Sequence, residues 1–362
     1  MPVRILLTVT VCLSALFFAG AWPAEAAVEN RQLKIGFVYV SPVGDAGWSY
    51  THDQARRELA KEPGISTFIA ENVPEGADSE RVIRSMSKRG CDIIITTSFG
   101  FMEATLKVAG EFPGITYLHC AGYKTAPNVS AYFGRMYQAR FLSGMVAGSM
   151  TKSNSIGYVA AYPIPEVIRG INAFTLGVRQ VNPEAVVRVS WTETWYDPVT
   201  EKDAAAALLR GGADVIAQHQ DSTGPQEAAQ EAGAYSIGYS SDMSAAAPAA
   251  HLVAPVWNWT PFYKEVANAV RKGTWTSGTF WPGIETGIVD ISAFGPMVPT
   301  DVRQRVLECR KAIMEGAFAV FRGPVLDRDG RVRIAEGAVP SDQQLLEMDW
   351  FVPGVVGESG QR

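Results

Sequence analysis

Between Leu33 and Ser240 the chain alternates short apolar, β-branched runs with segments of helical period. It does so twice over. "LKIGFVYV", "STFIAEN", "CDIIITTSF" and "ITYLHCAG" read as strands, separated by the helical stretches "SYTHDQARRELAKEP", "DSERVIRSMSKRG" and "FMEATLKVAGEFP". Asp78 or Ser79 is the expected cap of the second of these helices, which closes at Gly90. "CDIIITTSF" is apolar almost throughout, as a strand covered on both faces must be. Strands joined by helices imply a parallel sheet with helices on both sides.

After "NVSAYFG" the rhythm restarts, with strands at "SIGYVAA", "VVRVSWTETW", "ADVIAQHQ" and "YSIGYS" and helices between them. The segment "HLVAPVWNWTPFYKEVANAVRKGTW" adds one strand and one helix. The tail beyond Gly295 is less regular, and "VLDRDGRVRIAEG" reads as a hairpin turned by Asp329-Gly330. A chain of 362 residues fits two such α/β wraps.

In open parallel sheets, ligands sit beyond the carboxyl ends of the strands. The first half offers the strand-end loops "SPVGDAGW", "SFGF" with Ser98, and "AGYK". The second half offers "AYPIPE", "TWYD", "QHQDSTG" and "YSSDM". These loops carry aromatics, hydroxyls, amides and carboxylates, and few cations. Net charge is −5 with no basic patch, which argues against nucleic acid. Gln220 and Asp221 are candidate hydrogen-bond partners for a bound ring. His219 beside them has no second His or Cys nearby, so no metal and no cofactor is expected. His52, His119 and His251 read as packing residues.

The first residues form a separate unit. Arg4 precedes an apolar stretch from Ile5 to Trp22, followed by Ala24 and Ala26 in an A-x-A pattern. This predicts a leader over 1–26, cleaved near Ala26, and a periplasmic protein. Cys12 follows a valine inside the apolar stretch and is a poor lipidation site. Cys91, Cys120 and Cys309 remain, an odd and widely spaced set that leaves room for at most one bridge; burial is the simpler reading for Cys91 and Cys120. No second apolar stretch is long enough to span a bilayer.

The order of "DAGWS", "SFGFMEA", "FLSGMVAG", "IGYVAA", "GGADVIAQHQDSTG" and "YSIGYSSD" resembles the basic membrane protein family, the purine nucleoside receptor-like substrate-binding subunits of ABC importers. The resemblance covers roughly residues 33 to 320. It implies an α/β chain of the type I periplasmic-binding-protein fold: two Rossmann-like lobes with parallel sheets, joined by three crossovers near 131, 258 and 286. Lobe 1 would comprise 33–130 plus 258–285, and lobe 2 would comprise 131–257 plus 286–362. It also implies a monomer that binds a small molecule and serves an ABC permease at the inner membrane, without enzymatic activity.

The family's first loop, D-x-S-F-N, corresponds here to Asp45-Ala46-Gly47-Trp48-Ser49, so Trp48 stands where an aromatic stacks on the purine. Its T-F-x-D loop corresponds to Thr194-Trp195-Tyr196-Asp197, which makes Trp195 the opposing aromatic. Gln138 stands where the family has a glutamate near the first crossover, and Asn258 lies beside the second. The departures are informative. Family members that bind nucleosides hold ribose with a G-V-D-x-D loop and a lysine; here the loop is Gly238-Tyr239-Ser240-Ser241-Asp242, and the lysine position falls on Trp257. Asp242 matches the second aspartate, Ser240 replaces the first, and "LHCAGYK" lacks the family's base-contacting aspartate. A site that pairs substrate hydroxyls loses heavily without those partners. The expected ligand is therefore a purine base or a related flat heterocycle. Three readings stand beside it: a purine nucleoside receptor of the same family, a nucleoside-cleaving hydrolase using Asp45, Asp221 and Asp242, and a receptor that feeds a sensor.

Overall fold

The computed structural model describes residues 32–44 and 46–357; the expected leader over 1–26 and the candidate Asp45 lie outside the described residues. Strands β1 (Leu33–Val38), β2 (Ile65–Ala70), β3 (Ile93–Thr96), β4 (Thr116–Cys120) and β5 (Val129–Tyr132) alternate with helices α1 (Trp48–Leu59), α2 (Ala77–Lys88) and α3 (Met102–Glu111). Helix α4 (Tyr137–Met150) then leads into β6 (Ser155–Ala160), β7 (Val186–Trp191), β8 (Val215–His219), β9 (Tyr235–Ile237) and β10 (His251–Val253). Helices α5 (Pro165–Val181), α6 (Pro198–Arg210) and α7 (Gly224–Glu231) connect these strands. The remainder is β11 (Pro255–Trp257), α8 (Thr260–Lys272), β12 (Thr279–Phe280), β13 (Val289–Ile291), α9 (Thr300–Met314), β14 (Val325–Leu326), β15 (Val332–Ile334), α10 (Asp342–Leu346) and β16 (Val355–Val356).

Two six-stranded sheets result, ordered β12-β5-β4-β3-β1-β2 and β10-β9-β8-β6-β7-β16, and every pairing in them is parallel. Each sheet repeats the same winding. The first strand of the lobe pairs with the second on one side and the third on the other, so the connections leave it in opposite directions. That is the switch point at which doubly wound sheets bind ligands. In the first sheet it lies between β1 and β3, and in the second between β6 and β8.

The central strands are fully buried, as their unbroken apolar runs predict. Helices α4 and α5 pack backbone to backbone. A Cβ on Gly144 would lie 2.1 Å from the Phe174 carbonyl oxygen, and one on Gly177 would lie 2.0 Å from that of Phe141. Gly144, the first glycine of "FLSGMVAG", is therefore a packing requirement at the heart of the molecule.

Three details differ from the sequence reading. Pro255, which has no N–H to give a ladder, splits the single strand expected over "HLVAPVW". β10 stays in the second sheet, while β11 pairs antiparallel with β13. Neither Asp78 nor Ser79 caps α2. The helix starts at Ala77 behind Gly76, whose φ of 91° turns the chain, and the Ser79 hydroxyl donates to the Gly76 carbonyl at 2.7 Å. Finally, Trp48 is the first residue of α1 and not a loop residue.

The hairpin expected near Asp329 is present as β14 and β15, with Gly330 at φ 82°. Cys91 and Cys120 are buried, Cys309 is half-buried, and all three are free thiols. Among the described residues no helix is long and apolar enough to cross a membrane.

Candidate functional site

The two switch points face one cleft with about 420 Å³ of empty volume. From the first lobe come Val40 and Trp48 after β1, Thr97, Ser98 and Phe99 after β3, Ala121 after β4 and Phe133 after β5. From the second come Ile164 and Glu166 after β6, Trp195 after β7, His219 and Asp221 at β8, and Tyr239 after β9.

Trp48 is held from behind. Its indole Nε1–H donates to the Thr97 carbonyl at 2.5 Å. Its ring meets His52, Trp257 and Trp259 edge-on, at centroid distances of 4.5, 5.6 and 5.9 Å. A side chain fixed on that many sides presents a pre-set flat wall to the cleft. Trp195 is half-buried and meets Tyr162 edge-on at 5.3 Å. Its loop is fixed by Asp197, which caps α6 by accepting from the Val199 and Thr200 amides.

The polar groups are few and differ in charge. His219 Nε2 lies 3.2 Å from a Glu166 carboxylate oxygen. Burial pushes the His219 imidazole below its usual range, against the opposing pull of Glu166. Burial alone would raise Glu166, but His219, Arg169 and Arg140 outweigh it and hold the carboxyl below the usual carboxylate range. Glu166 is thus an anionic acceptor at the cleft wall.

Asp221 is the opposite case. Burial first, and then the charge of Glu201, push its carboxyl well above the usual range, against the smaller effects of Ser41 and the Trp48 amide. The Ser41 hydroxyl lies 3.4 Å from Asp221 Oδ2 and 2.6 Å from the Ser49 hydroxyl. Asp221 belongs to the second lobe and these partners to the first, so the contact joins the lobes at the N-terminus of α1. Gly47 seals it. Its φ is 90°, its amide donates to Ser241 Oγ at 3.3 Å, and a Cβ there would lie 1.9 Å from the Asp221 carbonyl oxygen.

This makes a pH prediction. A carboxyl raised in the folded state keeps a proton that the unfolded chain releases above about pH 3.9. Its stabilising contribution is full below that value and is lost as pH rises through the folded value. Asp221→Asn, with no proton to lose, is expected to show a smaller fall in melting temperature between about pH 5 and about pH 8 than the unsubstituted protein. Parallel falls would show that Asp221 holds no such proton.

Of the other described candidates, all but Ser98 lie outside the cleft lining. Gln138 Oε1 accepts from the Ile284 amide at 2.8 Å and ties two crossover segments together. Gln220 is fully buried, and its amide donates to Thr192 Oγ1. Ser240 is fully buried at φ 68°, and its carbonyl accepts from the Trp257 amide at 3.0 Å. Trp257 stacks on Trp259 at 4.5 Å and packs on Phe133, so it backs the cleft from behind Trp48. Asp242 is exposed and accepts from the Ser244 amide at 2.8 Å, capping a turn. Asn258 is exposed, with its amide bonded to the Ile288 carbonyl. The Ser98 hydroxyl lines the cleft but is already donated to Glu75 at 2.5 Å.

The residue that the sequence reading passed over is Glu166. "AYPIPE" was a strand-end loop carrying a carboxylate, but its partner His219 is distant in sequence. Among the described residues no cluster of His, Cys, Asp and Glu could hold a metal ion.

The sequence model of the ABC transporter substrate-binding proteins described as PnrA-like matches residues 32–319. The chain belongs to this family. Proteins of the family are extracytoplasmic, bind a small molecule and work with a membrane permease. A purine-binding protein of Brucella abortus is 43% identical over 93% of this chain and 97% of its own length. A Haloferax volcanii protein named for glucose binding by an ABC transporter is 38% identical over 94% of this chain and 83% of its own. Among solved structures, a solute-binding protein of Aeropyrum pernix has a TM-score of 0.71 at 19% identity, covering 79% of this chain and 92% of that one. One from Conexibacter woesei has a TM-score of 0.66 at 24% identity, covering 79% and 98%. The structural neighbours have the type I periplasmic-binding fold.

Proposed function

We propose that this receptor takes a purine base, adenine-like in its donor pattern, into the cleft between Trp48 and Trp195, and delivers it from the periplasm to its permease as a monomer. The observation that carries the reading is the make-up of the cleft wall. Trp48, Phe99, Phe133, Trp195 and Tyr239 surround it, with Glu166 and Asp221 as the ionisable carboxyls. A flat heterocycle gains the apolar burial and about 0.5–1.5 kcal/mol for each aromatic contact beyond it. Glu166, ionised, accepts from a ring or exocyclic N–H; Asp221, protonated, can donate to a ring nitrogen.

The names of the relatives point both to purines and to glucose. The wall favours the purine. Each sugar hydroxyl buried there without a partner would cost about 1–3 kcal/mol. The Ser98 hydroxyl is donated to Glu75 and His219 Nε2 faces Glu166, which leaves His219 Nδ1 and the Glu166 and Asp221 carboxyls as partners, too few for the several hydroxyls of a hexose. Ribose faces the same obstacle, and Ser240 and Trp257 supply neither a carboxylate nor an ammonium to hold it.

Thermal unfolding with added ligand tests the choice. Adenine at about a hundred times its Kd is expected to add about 2.7 kcal/mol of stability, while glucose leaves the transition unmoved. A shift with glucose and none with adenine would overturn the reading.

A further inference from the structure

The cleft does not end at its aromatic walls. Phe99, Ala121, Phe133 and Glu166 also line a second chamber at the lobe boundary, open to solvent, with about 1410 Å³ of space including the solvent at its mouth. Its far walls come from two places. Phe280 and Trp281 belong to the crossover after α8, and Gln343, Leu346 and Glu347 lie on or just after α10. The family match ends at residue 319, so the α10 wall comes from chain beyond it.

That wall is fixed in place. Arg135 pairs with Asp342 through two contacts of 2.8 Å, and Arg169 donates to the Leu345 carbonyl at 2.7 Å. Asn172 on α5 donates to the Trp350 carbonyl at 2.7 Å and accepts from the Val352 amide at 3.0 Å. Trp281 lies between the Arg135 and Arg169 guanidinium groups, 4.5 and 5.0 Å from its ring, and its Nε1–H donates to the Gly134 carbonyl. Three of the polar side chains around the chamber already have a partner: Glu166 in His219, Arg169 in the Leu345 carbonyl, and Gln343 in Glu347 at 3.1 Å. Phe99, Phe133, Phe280, Trp281 and Leu346 offer an occupant a largely aromatic and aliphatic surface.

We propose that this chamber is a second subsite that holds an apolar arm carried on the base, so that the receptor selects substituted purines with an aryl or alkyl group. The proposal rests on the purine reading of the cleft. The arm would leave the ring edge past Phe99 and Phe133 and lie against Phe280, Trp281 and Leu346. A ribosyl arm would meet the same surface with hydroxyls left unpaired.

Calorimetric titration with adenine, 6-benzylaminopurine and 9-benzyladenine tests it, the two benzyl compounds placing the arm on different edges. At least one of them is expected to bind about threefold or more tighter than adenine. Leu346, part-exposed on the α10 wall, gives the variant. Leu346→Asp is expected to remove that advantage while changing adenine affinity by less than about twofold. If neither benzyl compound binds more tightly than adenine, or if Leu346→Asp leaves the advantage intact, the subsite is refuted while the base site stands. If none of the three binds, it is the purine reading that fails.

Discussion

Trp48→Ala and Trp195→Ala are each expected to weaken purine binding by about 2–4 kcal/mol, roughly thirty- to a thousandfold. The two indoles are the largest side chains of the cleft, one from each lobe, and each is oriented by contacts that do not involve a ligand. The variants differ in their side effects. Trp48 is wedged among His52, Trp257 and Trp259, so its truncation also leaves a hole in the first lobe and lowers the melting temperature. Trp195 is half-buried with Tyr162 as its ring neighbour, so its variant should melt close to the unsubstituted protein and still bind poorly. Titration and thermal unfolding of both variants separate the effects. Unchanged affinity in both would make the tryptophans packing residues.

Gly47→Ala is expected to cost about tenfold to a hundredfold in affinity by holding the lobes apart. The added methyl would sit 1.9 Å from the Asp221 carbonyl oxygen, across the lobe boundary, where the neighbour is backbone and cannot rotate away. Overpacking of this kind costs about 1–3 kcal/mol, and here it falls on the closed arrangement. Two-lobed receptors close around ligand by hinge motion. Small-angle scattering is therefore expected to show the unsubstituted protein contracting with saturating adenine and the variant contracting less. Equal contraction and equal affinity would mean that the Gly47 contact does not govern closure.

Much of this architecture was legible because buried parallel strands leave unbroken apolar runs, as at Ile93–Thr96, and the amphipathic helices between them keep their period. The strand-end loops of the site could be named for the same reason, and Trp48, Ser98, Trp195 and Asp221 all line the cleft. What was hidden depends on pairing between distant segments. Glu166 becomes a held carboxylate only once β8 brings His219 beside it. Asp242 and Gln138 carry polar side chains at suggestive positions, but backbone amides occupy them: Ser244, two residues on, for Asp242, and the sequence-distant Ile284 for Gln138. The α10 wall is set by Arg169 and Asn172 reaching from α5, a docking that no local pattern announces.

The central claim is that this cleft holds a base and refuses its nucleoside. Calorimetric titration of the unsubstituted protein with adenine and with adenosine, checking by chromatography that the adenosine stays intact, tests it most directly. Adenine is expected to bind at least about tenfold more tightly, the equivalent of 1.4 kcal/mol for a buried hydroxyl left unpaired, with no free base released from adenosine. Adenosine binding as tightly as adenine, or adenosine cleaved by the protein, would contradict the account.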